Sequence, residues 1–158
     1  MNKYLSISDF LQLKKKSLFG KKIVFTNGCF DLLHKGHIYL LQEARKQGDI
    51  LVVGINADLS IKRLKGSLRP IENLETRIGN LAQLECVDFI ITFEEDTPID
   101  LIQKIKPNVL VKGGDYNKDT IVGADLVENK GGNIVIIPLL EGISTSIIIE
   151  NENYKSGK

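Results

Sequence analysis

Residues Lys22 to His37 read K-I-V-F-T-N-G-C-F-D-L-L-H-K-G-H. An apolar run, Ile23 to Phe25, enters a polar turn, Thr26-Asn27-Gly28. Then come His34-Lys35-Gly36-His37, which hold the only two histidines of the chain. They stand just ahead of a helix-like run, Ile38 to Gln47. A strand that ends in a tight turn and feeds a helix suits phosphate binding. Backbone N–H groups point outward there, and the helix dipole favours negative charge.

The flanking segments extend this unit into an alternation of strands and helices. Lys22 to Asn27 is expected as a strand, and Gly36 to Gln47 as a helix with Ile38, Leu41 and Ala44 on one face and Gly48 closing it. Asp49 to Asn56 is a continuous apolar run, as in a strand covered on both faces of a parallel sheet. Ala57 to Pro70 is polar and basic, and Gly66 and Pro70 are expected to break any helix there. A helix follows from about Asn73 to Glu85, and then a strand from Val87 to Thr92. Thr97 opens a helix with Pro98 at its first position, and Pro107 closes it. Asn108 to Lys112 is a strand, Asp119 to Asn129 a helix, and Asn133 to Pro138 a fifth strand. Gly142 to Ser146 offers several caps to a last short helix. Before the first strand, Ser8 is a plausible cap for a short amphipathic helix, with lysines 14–16 in its last turn.

Five strands alternating with helices predict an α/β fold: a Rossmann-like open, mostly parallel five-stranded sheet with helices on both faces. The expected organisation is an N-terminal helical extension (1–21), one domain (22–150) and a flexible tail (151–158). Ligands of such sheets bind beyond the C-terminal strand ends. Here those ends carry Thr26-Asn27-Gly28, Asn56-Ala57-Asp58, Thr92-Phe93-Glu94 and Lys112-Gly113-Gly114-Asp115, with Ser144-Thr145-Ser146 beyond the fifth.

Composition narrows the function classes. The chain has 158 residues, 42% of them hydrophobic, and a net charge of +1. That suits one domain with a real core and argues against a dedicated nucleic-acid binder, which carries a basic excess. Cys29 and Cys86 match no metal or disulfide spacing. Two histidines three apart could be a metal pair, but no third histidine or cysteine pair completes a zinc site, so no metal site is expected. No segment approaches a membrane helix, and a cytoplasmic protein is expected.

Gly28-Cys29-Phe30-Asp31-Leu32-Leu33-His34-Lys35-Gly36-His37 resembles the signature of the HxGH nucleotidyltransferases, the cytidylyltransferase-like superfamily. Ile143-Ser144-Thr145-Ser146 resembles its second signature. Within the superfamily the likeness is closest to the adenylyltransferase domain of heptose 1-phosphate enzymes. It is carried by Thr26-Asn27-Gly28, Asn56-x-Asp58, Arg63-Leu64-Lys65-Gly66, Arg69-Pro70, Phe93 to Pro98 and Val111 to Tyr116. The resemblance implies transfer of AMP from ATP to a heptose 1-phosphate, giving ADP-heptose and pyrophosphate, for lipopolysaccharide core or other glycan assembly. Many relatives are fused to a sugar kinase; this chain has no room for one, and a stand-alone version is expected. Relatives are commonly dimers, so a homodimer is expected. Glycerol-3-phosphate cytidylyltransferases carry arginines where this chain has Glu85-Cys86-Val87-Asp88 and Leu139-Leu140-Glu141-Gly142. Both absences favour an adenylyltransferase over that alternative. A regulatory module that binds nucleotide without turnover is a third reading, opposed by the intact histidines, the Lys65 segment and the Ser-Thr-Ser cap.

Roles follow from chemistry and resemblance together. His34 and His37 are expected to donate to phosphate oxygens as charge moves onto the leaving group. Lys65 is expected on the transferring phosphate, with Arg63 and Arg69 toward the sugar phosphate; the alternative is a solvated basic loop. Asn27, Gly28, Cys29, Phe30 and Gly36 are expected around the nucleotide, with the glycines allowing close backbone approach. Lys112, Gly113, Gly114 and Asp115 are expected to border adenine and ribose, or to form only a turn; Tyr116 is read as packing. Ser144, Thr145 and Ser146 are expected on the β- and γ-phosphates, or as plain helix caps. Asp31, Asn56 and Asp58 are assigned to the sugar side, Asp58 being equally suited to a cap. Arg77 is open between a nucleotide-side or structural role and a surface ion pair. Mg²⁺ is expected with ATP.

Overall fold

The computed structural model describes residues 2–114 and 116–138. At its centre lies β1 (Ile23–Gly28), flanked by β2 (Ile50–Asn56) and β4 (Val109–Gly113). β3 (Phe89–Phe93) lies outside β2, and β5 (Asn133–Ile137) outside β4, giving the order β3-β2-β1-β4-β5. All four pairings are parallel. The chain moves one way from β1 to β3, then returns past β1 to build β4 and β5. The gap between the C-terminal ends of β1 and β4 is therefore the switch point, where such sheets hold ligands.

Side-chain alternation along the strands divides the core in two. Ile23, Phe25, Val52 and Leu110 face α1 (Ile7–Ser17), α5 (Ile99–Ile105) and α6 (Ala124–Asn129). Val24, Leu51, Val53, Ile55, Val109 and Val111 face α2 (Lys35–Arg45) and α4 (Leu74–Ala82). Both faces are covered, which explains the unbroken apolar runs of β1, β2 and β4. Close approach is extreme at Gly54, where an added Cβ would stand 2.7 Å from Phe25 Cζ and 3.3 Å from Leu101. Among the described residues no helix is long and apolar enough to cross a membrane.

Four local expectations are corrected. The basic stretch after β2 contains α3 (Asp58–Lys65), with Ser60 and Ile61 fully buried. The expected breakers, Gly66 and Pro70, lie beyond its end, and Gly66 terminates it at φ 101°. The helix expected from Asp119 to Asn129 is a 3₁₀ turn, Lys118–Thr120, followed by α6. The kink falls at Gly123, whose φ of +89° and 2.6 Å approach to Ile102 Cδ1 leave no room for a Cβ. Pro98 is the N-cap of α5 rather than its first residue. Ser6, not Ser8, caps α1, accepting from the Asp9 N–H at 3.0 Å.

α1 is tied into the molecule. Phe10 is fully buried and meets Phe89 edge-on, with ring centroids 5.6 Å apart. Lys14 Nζ donates to the Ile105 carbonyl at 2.6 Å. Ahead of the helix, Tyr4 bridges to Ile90 in parallel. Phe10→Ala is expected to cost about 3–5 kcal/mol, the usual range for an emptied aromatic core position. Urea denaturation checks this; a loss under about 1 kcal/mol would make α1 an appendage rather than part of the core.

Candidate active site

The two histidines form the N-terminus of α2. His34 is its N-cap, in extended conformation, and its Nδ1 accepts from the Gly36 N–H at 3.0 Å. His37, in the first turn, returns the bond: its Nδ1 accepts from the His34 N–H at 3.3 Å. This is a capping box built from two imidazoles in place of the usual hydroxyl and carboxylate. The rings stack, 4.0 Å between centroids and 26° apart. Because each Nδ1 is an acceptor, each neutral ring carries its proton on Nε2. The cap thus fixes the tautomer in which Nε2 is a donor. Phe30 supports His37 edge-on at 5.4 Å. Gly28 leaves room for that ring, since a Cβ there would lie 3.0 Å from Phe30 Cε2.

The turn between β1 and α2 is held from below. Phe30 and Leu32 both take left-handed backbone, at φ 50° and 60°. Non-glycine residues adopt this only when their surroundings impose it. Here the Leu32 N–H donates to Glu72 Oε1 at 3.0 Å. Asp31, almost fully buried, accepts from Arg69 Nε at 3.1 Å, the Ile71 N–H at 2.8 Å and the Glu72 N–H at 2.9 Å. Both of its oxygens brace the turn to the segment before α4.

Arg77 resolves the same way. Its side chain is fully buried, which excludes the surface ion pair. Nη1 donates to the carbonyls of Cys29 (2.9 Å) and Asn56 (2.7 Å). Nε donates to the Glu72 carbonyl (3.0 Å), and Nη2 to Asp58 Oδ1 (2.6 Å). One guanidinium so joins the C-terminal ends of β1 and β2, the start of α3 and the approach to α4. Its Nε, Nη1 and Nη2 all have protein acceptors, and the side chain holds these elements together. Asp58 and Asn56, expected on the sugar side, belong to this network. Asn56 is buried, and its amide donates to Ser60 Oγ at 3.0 Å.

Above the braces lies a cleft of about 140 Å³ lined by Asn27, Gly28, Cys29, Phe30, Asp31, His37, Leu40, Lys65 and Arg69. It brings His37, Lys65 and Arg69 together, while His34 is not part of its lining. Arg69 is anchored through Nε on Asp31. Burial pushes the Cys29 thiol up, against the opposing pull of Lys65 and Arg77. Arg63 is not brought in. It pairs with Asp96 at 3.0 Å and with the Glu94 carbonyl, in an exposed arrangement. Lys112 opens into a second cleft, across Asn27. At Gly113 a Cβ would lie 3.1 Å from Leu40. Asp115, Ser144, Thr145 and Ser146 lie outside the described residues. Among the described residues no group of three His, Cys, Asp or Glu side chains could hold a metal ion.

Glu72 and Ser60 went unrecognised in the sequence. Ser60 Oγ donates to the Glu95 carbonyl at 2.9 Å, linking α3 to the end of β3. Neither stands in a pattern that names its partner. Arg77→Met is expected to leave the Cys29 and Asn56 carbonyls and the Glu72 carbonyl short of donors. At about 1–3 kcal/mol for each buried unsatisfied group, the loss should exceed about 2 kcal/mol in urea denaturation. A stability within about 0.5 kcal/mol of the parent would contradict the bracing role.

Residues 25–151 match the family model described as cytidylyltransferase-like. The bifunctional protein HldE of Syntrophotalea carbinolica is 50% identical over 154 residues, covering 96% of this chain and 31% of that protein. HldE of Geobacter sulfurreducens is 53% identical over 131 residues, 83% of this chain and 27% of that protein. The chain thus spans about a third or less of the curated relatives it matches. The crystal structure of the lipopolysaccharide core biosynthesis protein from Thermoplasma volcanium superposes with a TM-score of 0.61 at 31% identity, covering 77% of this chain and 98% of that one. Pantoate-beta-alanine ligase from Francisella tularensis shares the fold, with a TM-score of 0.62 at 20% identity over 96% of this chain and 77% of that one. The chain belongs to the cytidylyltransferase-like family.

Proposed function

We propose that this chain is an adenylyltransferase that moves AMP from ATP to a heptose 1-phosphate. A phosphate oxygen of the sugar phosphate attacks the α-phosphorus of ATP in line. The bond from that phosphorus to the bridging oxygen breaks, and pyrophosphate leaves with the electron pair. The attacking phosphate is already an anion, so no protein base is needed. What the protein supplies is position and positive charge.

The observation that carries this is the histidine capping box beside Lys65 and Arg69. Two imidazoles with Nε2–H donors at a helix N-terminus suit the charge that develops on the α- and β-phosphate oxygens. The pair does not have to reorganise, because the backbone of α2 fixes both rings. Lys65 and Arg69 add cations on the cleft that His37 lines. The heptose assignment is supported by the resemblance of the Arg63–Gly66 and Val111–Tyr116 segments, by the HldE relatives, and by the lipopolysaccharide core protein among the structural neighbours. Mg²⁺ would arrive with ATP and neutralise its phosphates. The cleft offers histidine, lysine and arginine rather than a carboxylate cage, which fits an ion held chiefly by the nucleotide. The nucleotide-side roles of Asp115, Ser144, Thr145 and Ser146 are part of this proposal.

A homodimer and a cytoplasmic location, where ATP is available, complete the reading. Leu59, Leu64, Leu68 and Ile71 are exposed along α3 and the segment after it, and give apolar surface for a second copy.

The test is pyrophosphate release with ATP or CTP against a panel of sugar and polyol phosphates. Turnover with ATP and a heptose 1-phosphate is expected; preference for CTP and glycerol 3-phosphate would overturn the assignment. His37→Ala should lower kcat about a hundred- to a thousandfold, the worth of one preorganised donor. It should cost only about 1 kcal/mol of stability, for the lost cap. Chelation of divalent ions should abolish turnover, and added Mg²⁺ should restore it.

A further inference from the structure

We propose that the second cleft, between the C-terminal ends of β1 and β4 and the start of α5, is the subsite for the sugar of the acceptor, and that Lys112 and Tyr116 select it. This rests on the adenylyltransferase reading above. It moves Lys112 from the adenine side, where the sequence placed it, to the acceptor side.

The cleft holds about 180 Å³, and its polar lining is Asn27, Asp96, Thr97, Lys112, Tyr116 and Thr120 over an aliphatic floor. A sugar presents hydroxyls around its rim and C–H groups on its faces. An amide, two hydroxyls, a carboxylate and one aromatic ring match that chemistry. Lys112 is the unusual member. Its amine lies 5.3 Å over the Tyr116 ring, and among the described residues no carboxylate pairs with it. Burial pushes its pKa down, a sign of a desolvated amine in need of an acceptor. Asn27 lines both clefts. The two clefts therefore adjoin at Asn27, and a sugar phosphate that spans them would set its phosphate on the side of His37 and Lys65.

The test uses the full chain, ATP and a heptose 1-phosphate, with KM measured for each substrate. Binding of a non-hydrolysable ATP analogue is followed by calorimetry. Lys112→Met should raise KM for the sugar phosphate about tenfold or more, equivalent to about 1.4 kcal/mol. KM for ATP and affinity for the analogue should stay unchanged. Tyr116→Leu, at a half-exposed position, should shift KM the same way and guards against a misfolded Lys112 variant. A rise in KM for ATP with the sugar phosphate unaffected would give the cleft to adenine. No change in either substrate would leave it without a role in the reaction. Both results overturn the proposal while the adenylyltransferase stands. A parent protein that binds the analogue but turns over no sugar phosphate would sink both.

Discussion

Arg77 is a cation with no exposed surface, and the site depends on how it is satisfied. Removing a guanidinium from water costs several kcal/mol unless its donors are matched. Here three carbonyls and one carboxylate match them. Two of the carbonyls, those of Cys29 and Asn56, lie at the C-terminal ends of adjacent strands, where the sheet no longer pairs them. A parallel sheet leaves such carbonyls open at its ligand-binding edge. Arg77 closes that edge from below and so lets the turn above it take an unfavourable shape.

The turn needs that support. Phe30 and Leu32 are both left-handed, and neither is glycine. Asp31, between them, is held by Arg69 and two backbone N–H groups. The result is a chain of dependence. Arg77 holds the strand ends, Asp31 and Glu72 hold the turn, and Phe30 supports His37. The α2 backbone then fixes both imidazoles. Catalysis by preorganised donors gains only if the donors do not have to move into place. The buried ions and the strained turn provide that rigidity from positions that need not touch substrate.

How far could the sequence see this? The five strands were legible because burial on both faces makes their apolar runs continuous. The histidine pair was legible because it sits at a strand-to-helix junction. Local signals failed where tertiary contacts decide the outcome. The basic stretch after β2 looks like a loop, yet α3 forms there because Ile61 and Ser60 are buried beneath it. Asp31 and Arg77 have the chemistry of surface or ligand-binding residues. Only the fold reveals that their partners are 38 to 41 residues away for Asp31 and up to 48 for Arg77. The same holds for Lys112, whose neighbours in the cleft come from β1, the segment before α5 and the turn before α6.

Strand parity also separates the two halves of the site. Val24 faces α2 and α4, while Phe25 faces α1 and α5. Asn27 shares the parity of Phe25, and Gly28 that of Val24. Phe25 pairs with Leu110, and continuing that register sets Asn27 beside Lys112. So Gly28 borders only the cleft of His37, while Asn27 borders both clefts and stands beside Lys112. Chemistry and selectivity can then change independently. Substitutions around Lys112 would alter which acceptor fits without disturbing the α2 cap.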